Sequence, residues 1–173
     1  KYGLVIIDGD DKNLKKVLDT EDFQSVSNVV LAKVLVDRNS PFLKSIIINK
    51  GSKEGIIKGM PVTQNKYLVG RIVETNYLSS RVLLLNDLNS RIPVTFDEKS
   101  TQAILTGGGT RKPSLSYLPE GYQFVEDITV FASGKDGIFI AGTPIGKTKD
   151  NGEVKLFVDP VSYTHLTLPT ISC

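Results

Sequence analysis

The chain has 173 residues, of which 40% are hydrophobic and 23% charged, which is typical of one ordinary globular domain or two small ones. Its net charge of +2, with acids and bases interspersed, gives no electrostatic argument for nucleic-acid binding. With one cysteine, Cys173, and one histidine, His165, the sequence excludes an internal disulfide and any multi-cysteine metal site.

Residues 1–26 are predicted to form the end of a coiled-coil helix. Leu4, Ile7, Leu14 and Leu18 fall on a heptad-like stripe. An isolated helix this short is marginal in water, so it needs a partner. An amphipathic helix lying on its own domain explains the stripe equally well.

From residue 27 to residue 160 the pattern is almost wholly that of β-strands. Short runs of β-branched and aromatic residues alternate with turn residues at a spacing of roughly 8–12 residues, which favours a barrel or a sandwich. Pro93 is expected at a sheet edge or at the start of a strand, because it lacks an amide hydrogen. The predicted strands are residues 29–36, 43–49, 67–75, 81–85, 92–96, 102–106, 115–118, 128–132, 144–149 and 154–158.

A glycine-rich motif occurs twice. Residues 53–62, KEGIIKGMPV, align with residues 135–145, KDGIFIAGTPI, and a glycine followed by a cation comes after each copy. The repeat predicts two related small β-domains, with each copy forming a tight turn that re-enters a strand at proline. The predicted ranges are 27–100 and 101–160, and completion of the first barrel by the chain ends stays open. The predicted structural turn residues, including those of the turn at 86–90, are Gly51, Gly55, Gly59, Pro61, Gly70, Asp87, Ser90, Pro93, Gly137, Gly142, Pro144 and Gly146.

Neither glycine turn has the order that nucleotide binding requires. A phosphate-binding P-loop needs Gly-Lys-Ser/Thr at the start of a helix, whereas residues 51–53 read Gly-Ser-Lys and precede β-rich sequence. A trypsin-like β-barrel hydrolase, either degenerate or using Ser52 or Ser133 with Lys53 or Lys135, stays open as an alternative. No cofactor or metal site is predicted.

Two other segments carry separate expectations. The tyrosine-containing loop 117–122 suits partner binding, although an ordinary turn with packed tyrosines would look the same. Residues 161–173 carry no charge and resemble the translation of a sequencing-library adapter. We therefore expect this tail to be non-native.

The order of motifs is what links the chain to a known family. Residues 48–62, INKGSKEGIIKGMPV, are followed by LVGRIVE at 68–74, SRVLLLNDLNSRIPV at 80–94 and SGKDGIF at 133–139. This series closely resembles the MreC family of rod shape-determining proteins over roughly residues 29–158.

The resemblance implies an all-β fold of two small six-stranded-type barrels, in tandem or partly interleaved, after the end of a coiled-coil helix. It implies a non-catalytic scaffold of the cell-wall elongation machinery that forms homo-oligomers, as a dimer or filament. The implied partners are MreD and the class B penicillin-binding transpeptidase of elongation, with no nucleic acid. The implied location is the periplasmic side of the inner membrane, held by an N-terminal anchor that this sequence lacks.

Overall fold

A computed structural model describes residues 3–7, 28–35, 44–109, 111–159 and 163 of the chain. Within those ranges the strands form two sheets, and the helical residues are those of the 3₁₀ turn Ser52–Glu54, together with Tyr163. The first sheet comprises β1 (Gly3–Ile7), β2 (Asn28–Ala32), β3 (Val34–Leu35), β4 (Ser45–Ile48), β5 (Pro61–Gln64), β6 (Tyr67–Thr75) and β7 (Ser80–Leu84). The second comprises β8 (Arg91–Phe96), β9 (Thr101–Gly108), β10 (Arg111–Ser116), β11 (Thr129–Ala132), β12 (Pro144–Thr148) and β13 (Val154–Leu156).

The first sheet closes on itself. Its order is β2-β1-β5-β6-β7-β4-β3, and the strands at its two edges, β2 and β3, are consecutive in the chain. Only Lys33 separates them, and it continues the ladder by donating its amide to Asn49 Oδ1 at 2.8 Å and accepting the Asn49 amide at 3.0 Å. Residues 28–35 therefore act as one strand that joins β1 to β4, which makes a six-stranded barrel.

The second sheet closes into a barrel of the same size. Its order is β10-β9-β8-β11-β12-β13, and Ser114 on β10 forms a bridge with Glu153 just before β13. The amide of Leu115 also donates to the carbonyl of Gly152 at 2.9 Å. The predicted all-β fold with two six-stranded barrels is thus confirmed.

Each barrel has its own apolar core, filled by alternate residues of its strands. On β8, Ile92, Val94 and Phe96 are buried while the intervening residues are more exposed, as a period of two requires. Leu68 is an exception, because it lies on β6 of the first barrel but packs in the second core. Its neighbour Val69 points the other way, into the first core.

The N-terminal segment corrects one prediction. Gly3–Ile7 is a strand, not the start of a helix, and it runs parallel to β2 on one side and β5 on the other. Its four apolar residues after Gly3 are all buried, because a strand covered on both faces needs a continuous apolar run. The heptad-like spacing of Leu4 and Ile7 is coincidental, and residues 8–26 of the predicted helix lie outside the described residues.

β8 differs from prediction in its sheet and in its proline. The predicted ranges grouped Arg91–Phe96 with the first barrel, but this strand pairs with β9 and β11 of the second sheet. Pro93 is third in the strand, neither at an edge nor at a start. Its carbonyl accepts the Ser133 amide at 3.0 Å, just past the end of β11. The nitrogen of Pro93, which has no hydrogen to donate, faces the same side of the strand as this carbonyl. The pairing of β11 with β8 has already ended there, so no ladder hydrogen bond is lost.

The two barrels meet at the connection between β7 and β8. The rings of Tyr67 and Phe157 contact each other across the junction, with centroids 4.7 Å apart and ring planes tilted by 37°. After β13 the chain returns to the first barrel, where Val158 packs against the core and Tyr163 is buried within it. No helix among the described residues is long and apolar enough to cross a membrane.

Candidate functional site

The first glycine turn is held rigidly by its own backbone. Gly51 precedes the 3₁₀ turn and donates its amide to the Glu54 carboxylate at 2.9 Å. Gly55 ends the turn with a φ of 87°, and Gly59 has a φ of 99°, so both occupy the left-handed region that glycine tolerates best. Met60 is buried directly before β5. The turn therefore delivers the chain to Pro61 in a defined direction.

The backbone amides of this turn already donate hydrogen bonds within the protein, so they are not available to a phosphate. The amides of Ser52 and Lys53 donate to the carbonyls of Asn76 and Tyr77 at 2.8 and 3.1 Å. Those of Glu54, Gly55 and Ile56 donate to carbonyls within the turn itself. Anion-binding loops work by pointing free amides at the ligand. This geometry instead ties the turn to the neighbouring β6–β7 connection.

The second glycine turn repeats the same local construction. Gly137 and Gly142 have φ values of 72° and 86°, close to those of Gly55 and Gly59. In the first turn, the Gly59 amide donates to Ile72 on β6 at 2.7 Å. In the second, the Gly142 amide donates to Ala132 on β11 at 2.9 Å. The strand that accepts this hydrogen bond follows the first turn in sequence but precedes the second turn. The two barrels therefore connect the repeated turn to its neighbouring strand differently.

Gly70 and Gly146, paired in the repeat, lie in strands that are not equivalent. Gly146 is on β12, directly after its turn, whereas Gly70 is on β6, one strand later than its turn. Both nevertheless sit between two neighbouring strands with no room for a side chain. An added Cβ would lie 2.0 Å from the Leu83 carbonyl oxygen at Gly70 and 2.3 Å from that of Lys155 at Gly146.

The turn at residues 86–90 fastens the two barrels together. Asp87 is 1% exposed, and its carboxylate accepts the amide of Lys44 at 2.7 Å and that of Asn89 at 2.8 Å. The carbonyl of Ser90 accepts the Gly107 amide from β9 at 3.0 Å. Through Asp87 and Ser90, this turn is hydrogen-bonded both to the residue before β4 in the first barrel and to the end of β9 in the second barrel.

The serines of the hydrolase alternative are not arranged for nucleophilic attack. Ser133 Oγ accepts the Lys135 amide at 3.3 Å, and Ser52 is exposed on the first turn. Among the residues that the structure describes, no hydrogen bond joins either hydroxyl to a lysine ammonium or a carboxylate. Nor do the described residues include a group of three histidine, cysteine or acidic side chains that could hold a metal ion.

Three acidic loops meet at one end of the second barrel. β8, β10 and β12 run in the same direction, so the loops that follow them, at residues 97–100, 117–128 and 149–153, share an end. These loops hold seven carboxylates and two lysines, a net charge of −5 in a chain of net charge +2. Tyr117 is 82% exposed there with a φ of 59°, and Val125 is 58% exposed.

Asp97 organises this end of the barrel. Its carboxylate accepts the Thr101 hydroxyl at 2.6 Å, the Lys99 amide at 2.9 Å and the Tyr122 hydroxyl at 3.3 Å. Burial raises the pKa of Asp97, but these hydrogen bonds outweigh it and leave the pKa below its ordinary value. Burial, together with the charge of Asp97 and the hydrogen bond to it, raises the pKa of the Tyr122 phenol.

The far end of the first barrel presents apolar and basic side chains. β4 and β6 run in the same direction, so the glycine turn after β4 and the loop after β6 lie at the same end. Tyr77 and Leu78 are 64% and 60% exposed in that loop, and Ile57 is 62% exposed on the turn. Lys53 and Lys58 are also exposed, while the Glu54 carboxylate is held by the Gly51 amide.

The sequence singled out the loop at 117–122. It offered Asp97 only as part of a solvated carboxylate pair with Glu98, without the structural role described above, and it did not single out the Tyr77–Leu78 pair. An Asp three residues before a Ser-Thr pair is a turn signal that could have pointed to Asp97. Tyr77 and Leu78 carry no such signal, because exposed and buried apolar residues look alike in a sequence.

Three comparisons place this chain among known proteins. The family model of the rod shape-determining protein MreC, barrel core, matches residues 34–165. The cell shape-determining protein MreC of Caulobacter vibrioides is 36% identical over 141 residues, 79% of this chain and 41% of that relative. The chain thus spans about two fifths of that relative's length.

Solved structures give the same result. MreC from Pseudomonas aeruginosa aligns with a TM-score of 0.62 at 32% identity, covering 71% of this chain and 83% of that one. An MreC chain from Helicobacter pylori, solved in complex with penicillin-binding protein PBP2, aligns with a TM-score of 0.53 at 13% identity. That alignment covers 73% of this chain and 86% of the other, and its low identity supports the fold alone.

Proposed function

The chain belongs to the MreC family of rod shape-determining proteins, and from that membership we propose that it is a non-catalytic scaffold of bacterial cell-wall elongation. Its role is to maintain rod shape by holding other proteins of the machinery in place. The observation that carries this proposal is the family match over residues 34–165, which include the whole second barrel and the first barrel from β3 onward. The structure supports it, because the amides of the first glycine turn bond within the fold and exposed apolar residues such as Tyr77 and Tyr117 lie at the barrel ends.

The proposed partners are the elongation-specific class B penicillin-binding transpeptidase, MreD and further copies of the chain. A relative of the same fold was solved with a penicillin-binding protein, which supports the first of these. Exposed tyrosines such as Tyr77 and Tyr117 suit protein contacts, since tyrosine supplies a large contact area at low entropic cost.

The proposed location is the periplasmic side of the inner membrane. Crystal structures of a relative describe the major periplasmic domain of MreC, which supports this placement. An N-terminal anchor outside this sequence would hold the barrels at that surface, as the family resemblance implies. The lack of any paired cysteine suits an exported protein that uses no disulfides.

Binding to the transpeptidase tests the scaffold proposal directly. The full chain, tagged and immobilised, is incubated with the transpeptidase of the same genome, and with a periplasmic protein of similar charge as the control. We expect saturable binding to the transpeptidase alone. Equal binding to both proteins, or none, would overturn the transpeptidase role.

A serine-reactive fluorophosphonate probe tests the hydrolase alternative. We expect the folded chain to remain unlabelled at Ser52 and Ser133, because neither hydroxyl has an activating base within hydrogen-bonding distance among the described residues. Labelling that disappears in Ser133→Ala or Ser52→Ala would contradict the non-catalytic assignment.

A further inference from the structure

We propose that the far end of the first barrel is a peripheral docking surface for an anionic lipid bilayer. The inference rests on the location proposed above, at the periplasmic side of the inner membrane, and goes further by naming the residues that touch the lipid. This surface, the basic end, is defined by Lys53, Ile57, Lys58, Tyr77 and Leu78. Its ligand is a bilayer surface that carries negatively charged headgroups.

Three large apolar side chains of the basic end leave most of their surface in water. Ile57 lies on the first glycine turn, and Tyr77 and Leu78 lie in the loop between β6 and β7. Their exposed fractions are 62%, 64% and 60%. Clustered apolar groups of this size mark interaction sites. Tyrosine favours the headgroup level of a bilayer, and aliphatic side chains enter the boundary between headgroups and acyl chains.

The two loops that carry these side chains are fixed to each other by their backbones. The amides of Ser52 and Lys53 donate to the carbonyls of Asn76 and Tyr77 at 2.8 and 3.1 Å. The Asn76 amide donates to the Ser79 carbonyl at 2.8 Å, which closes the second loop. Because this backbone is ordered before any contact forms, docking costs little conformational entropy.

The charge of the basic end is positive. Residues 50–59 contain three lysines and one glutamate, and residues 76–79 contain no charged group, so these two segments carry a net charge of +2. The single carboxylate, that of Glu54, accepts the Gly51 amide at 2.9 Å, whereas Lys53 and Lys58 are exposed. On a membrane surface, attraction to anionic headgroups adds to the burial of apolar groups. Charge complementarity therefore identifies an anionic bilayer as the ligand.

The charge distribution of the whole molecule favours the same orientation. The loops at 97–100, 117–128 and 149–153 carry a net charge of −5 at the far end of the second barrel. The basic end lies where β7 begins, and these acidic loops lie where β8 finishes, with the β7–β8 junction between them. A negatively charged bilayer attracts the first of these ends and repels the second, so the molecule meets the lipid with its first barrel.

The chain enters the first barrel from the basic end. β1 runs parallel to β5, and β5 begins at Pro61, directly after the first glycine turn. The start of β1, at Gly3, therefore lies at the same end as Ile57 and Lys58. The N-terminal anchor proposed above would connect to the barrel at this end, so the barrel can rest on the same membrane that holds its anchor.

A single tryptophan reports on this surface, because the chain has none of its own. Tyr77→Trp places it in the basic end, and Leu88→Trp is the matched control, since Leu88 is also 64% exposed but lies in the turn between the barrels. The full chain is mixed with vesicles of phosphatidylcholine containing about one quarter phosphatidylglycerol. We expect the emission of Tyr77→Trp to shift to the blue and to be quenched by brominated acyl chains. The emission of Leu88→Trp should not change.

Charge reversal tests the lysines in a flotation assay with the same vesicles. We expect Lys53→Glu/Lys58→Glu to bind at least about tenfold more weakly than the wild type, because each lysine near an anionic surface contributes about fivefold. Lys147→Glu/Lys155→Glu is the matched control, since it changes the net charge equally but alters exposed lysines on the wall of the second barrel. Binding of this control should stay close to that of the wild type. Wild-type binding should also weaken at about 1 M salt, where the screening length is about 3 Å.

Three outcomes would overturn the proposal: no emission change in Tyr77→Trp with anionic vesicles, an equal change in Leu88→Trp, or equal weakening by the two lysine pairs. A change in Tyr77→Trp with the transpeptidase of the same genome, but not with vesicles, would assign the basic end to a protein partner instead. Transpeptidase binding by the wild type, measured without lipid, separates a failure of lipid docking from a failure of the scaffold proposal.

Discussion

Glycine is required at residue 51 because a side chain there would clash with neighbouring backbone. It is required at residue 137 because the backbone there has a positive φ. Gly51 has an extended φ of −145°, which any residue can adopt, but an added Cβ would lie 2.1 Å from the Asn76 carbonyl oxygen. Gly137 has open space around it but a φ of 72°. Glycines of the two glycine turns therefore serve two different physical needs.

Substitution by asparagine separates these two needs. We expect Gly51→Ala and Gly51→Asn each to lower the free energy of unfolding by about 1–3 kcal/mol, because either side chain collides with backbone. Gly137→Ala should cost about 1–2 kcal/mol, whereas Gly137→Asn should regain part of that loss, since asparagine tolerates positive φ. Urea unfolding of the four variants measures this, and equal costs for Asn and Ala at residue 137 would contradict it.

Asp97 should make stability depend on pH. Its pKa lies below the ordinary value of 3.8 in the folded chain, so folding is favoured by the charged form. The stabilisation is complete above the ordinary value and is lost as the pH falls through the folded value. Asp97→Asn should therefore be less stable than the wild type at about pH 7, with a smaller difference at about pH 3. Urea midpoints at both pH values measure this, and a constant difference would show that the charge has no role.

At the scale of elements, the turn at 86–90 depends on one carboxylate. Asp87→Ala would leave the amides of Lys44 and Asn89 without their acceptor, at a cost of about 2–4 kcal/mol. Asp87→Asn keeps one acceptor oxygen and should cost less. Hydrogen exchange checks the mechanism, because the Lys44 amide should exchange faster in the alanine variant. Unchanged exchange at residue 44 would argue against the bond.

Strand positions followed from the sequence better than strand partners did. The predicted strand at 67–75 coincides with β6, and the turn at 86–90 was recognised from side chains that bond their own backbone. β1 was missed because Leu4–Ile7 fits a helical stripe as well as a buried strand. Only pairing with β2 and β5, distant in sequence, decides between these two readings.

The exposed apolar residues mark the limit of prediction for the candidate site. Tyr77 and Leu78 have the composition of core residues, and their exposure follows from the position of a loop at a barrel end. The acidic surface formed by the loops at 97–100, 117–128 and 149–153 likewise exists only because alternate strands bring these loops to one end of the second barrel. Neither surface can be read from local spacing.

At the scale of the whole molecule, Leu68 couples the two barrels. It projects from β6 into the second core, so Leu68→Ala should cost about 2–5 kcal/mol and weaken the coupling. We expect calorimetry to show one transition for the wild type and two for this variant. Val69→Ala, which alters the first core only, should lower the midpoint and keep a single transition. Two transitions in both variants would contradict a specific role for Leu68.

Closure of the first barrel by residues 28–35 also has a kinetic consequence. The ring is complete only when β1 has met β5, more than fifty positions later in the chain, and when β7 has joined β4. A nascent chain that ends before Leu84 therefore exposes unpaired strand edges, which are prone to pair with other chains. Closure protects the strand edges of the finished barrel, but it comes late in synthesis. The chain would therefore need a chaperone most while it is being synthesised.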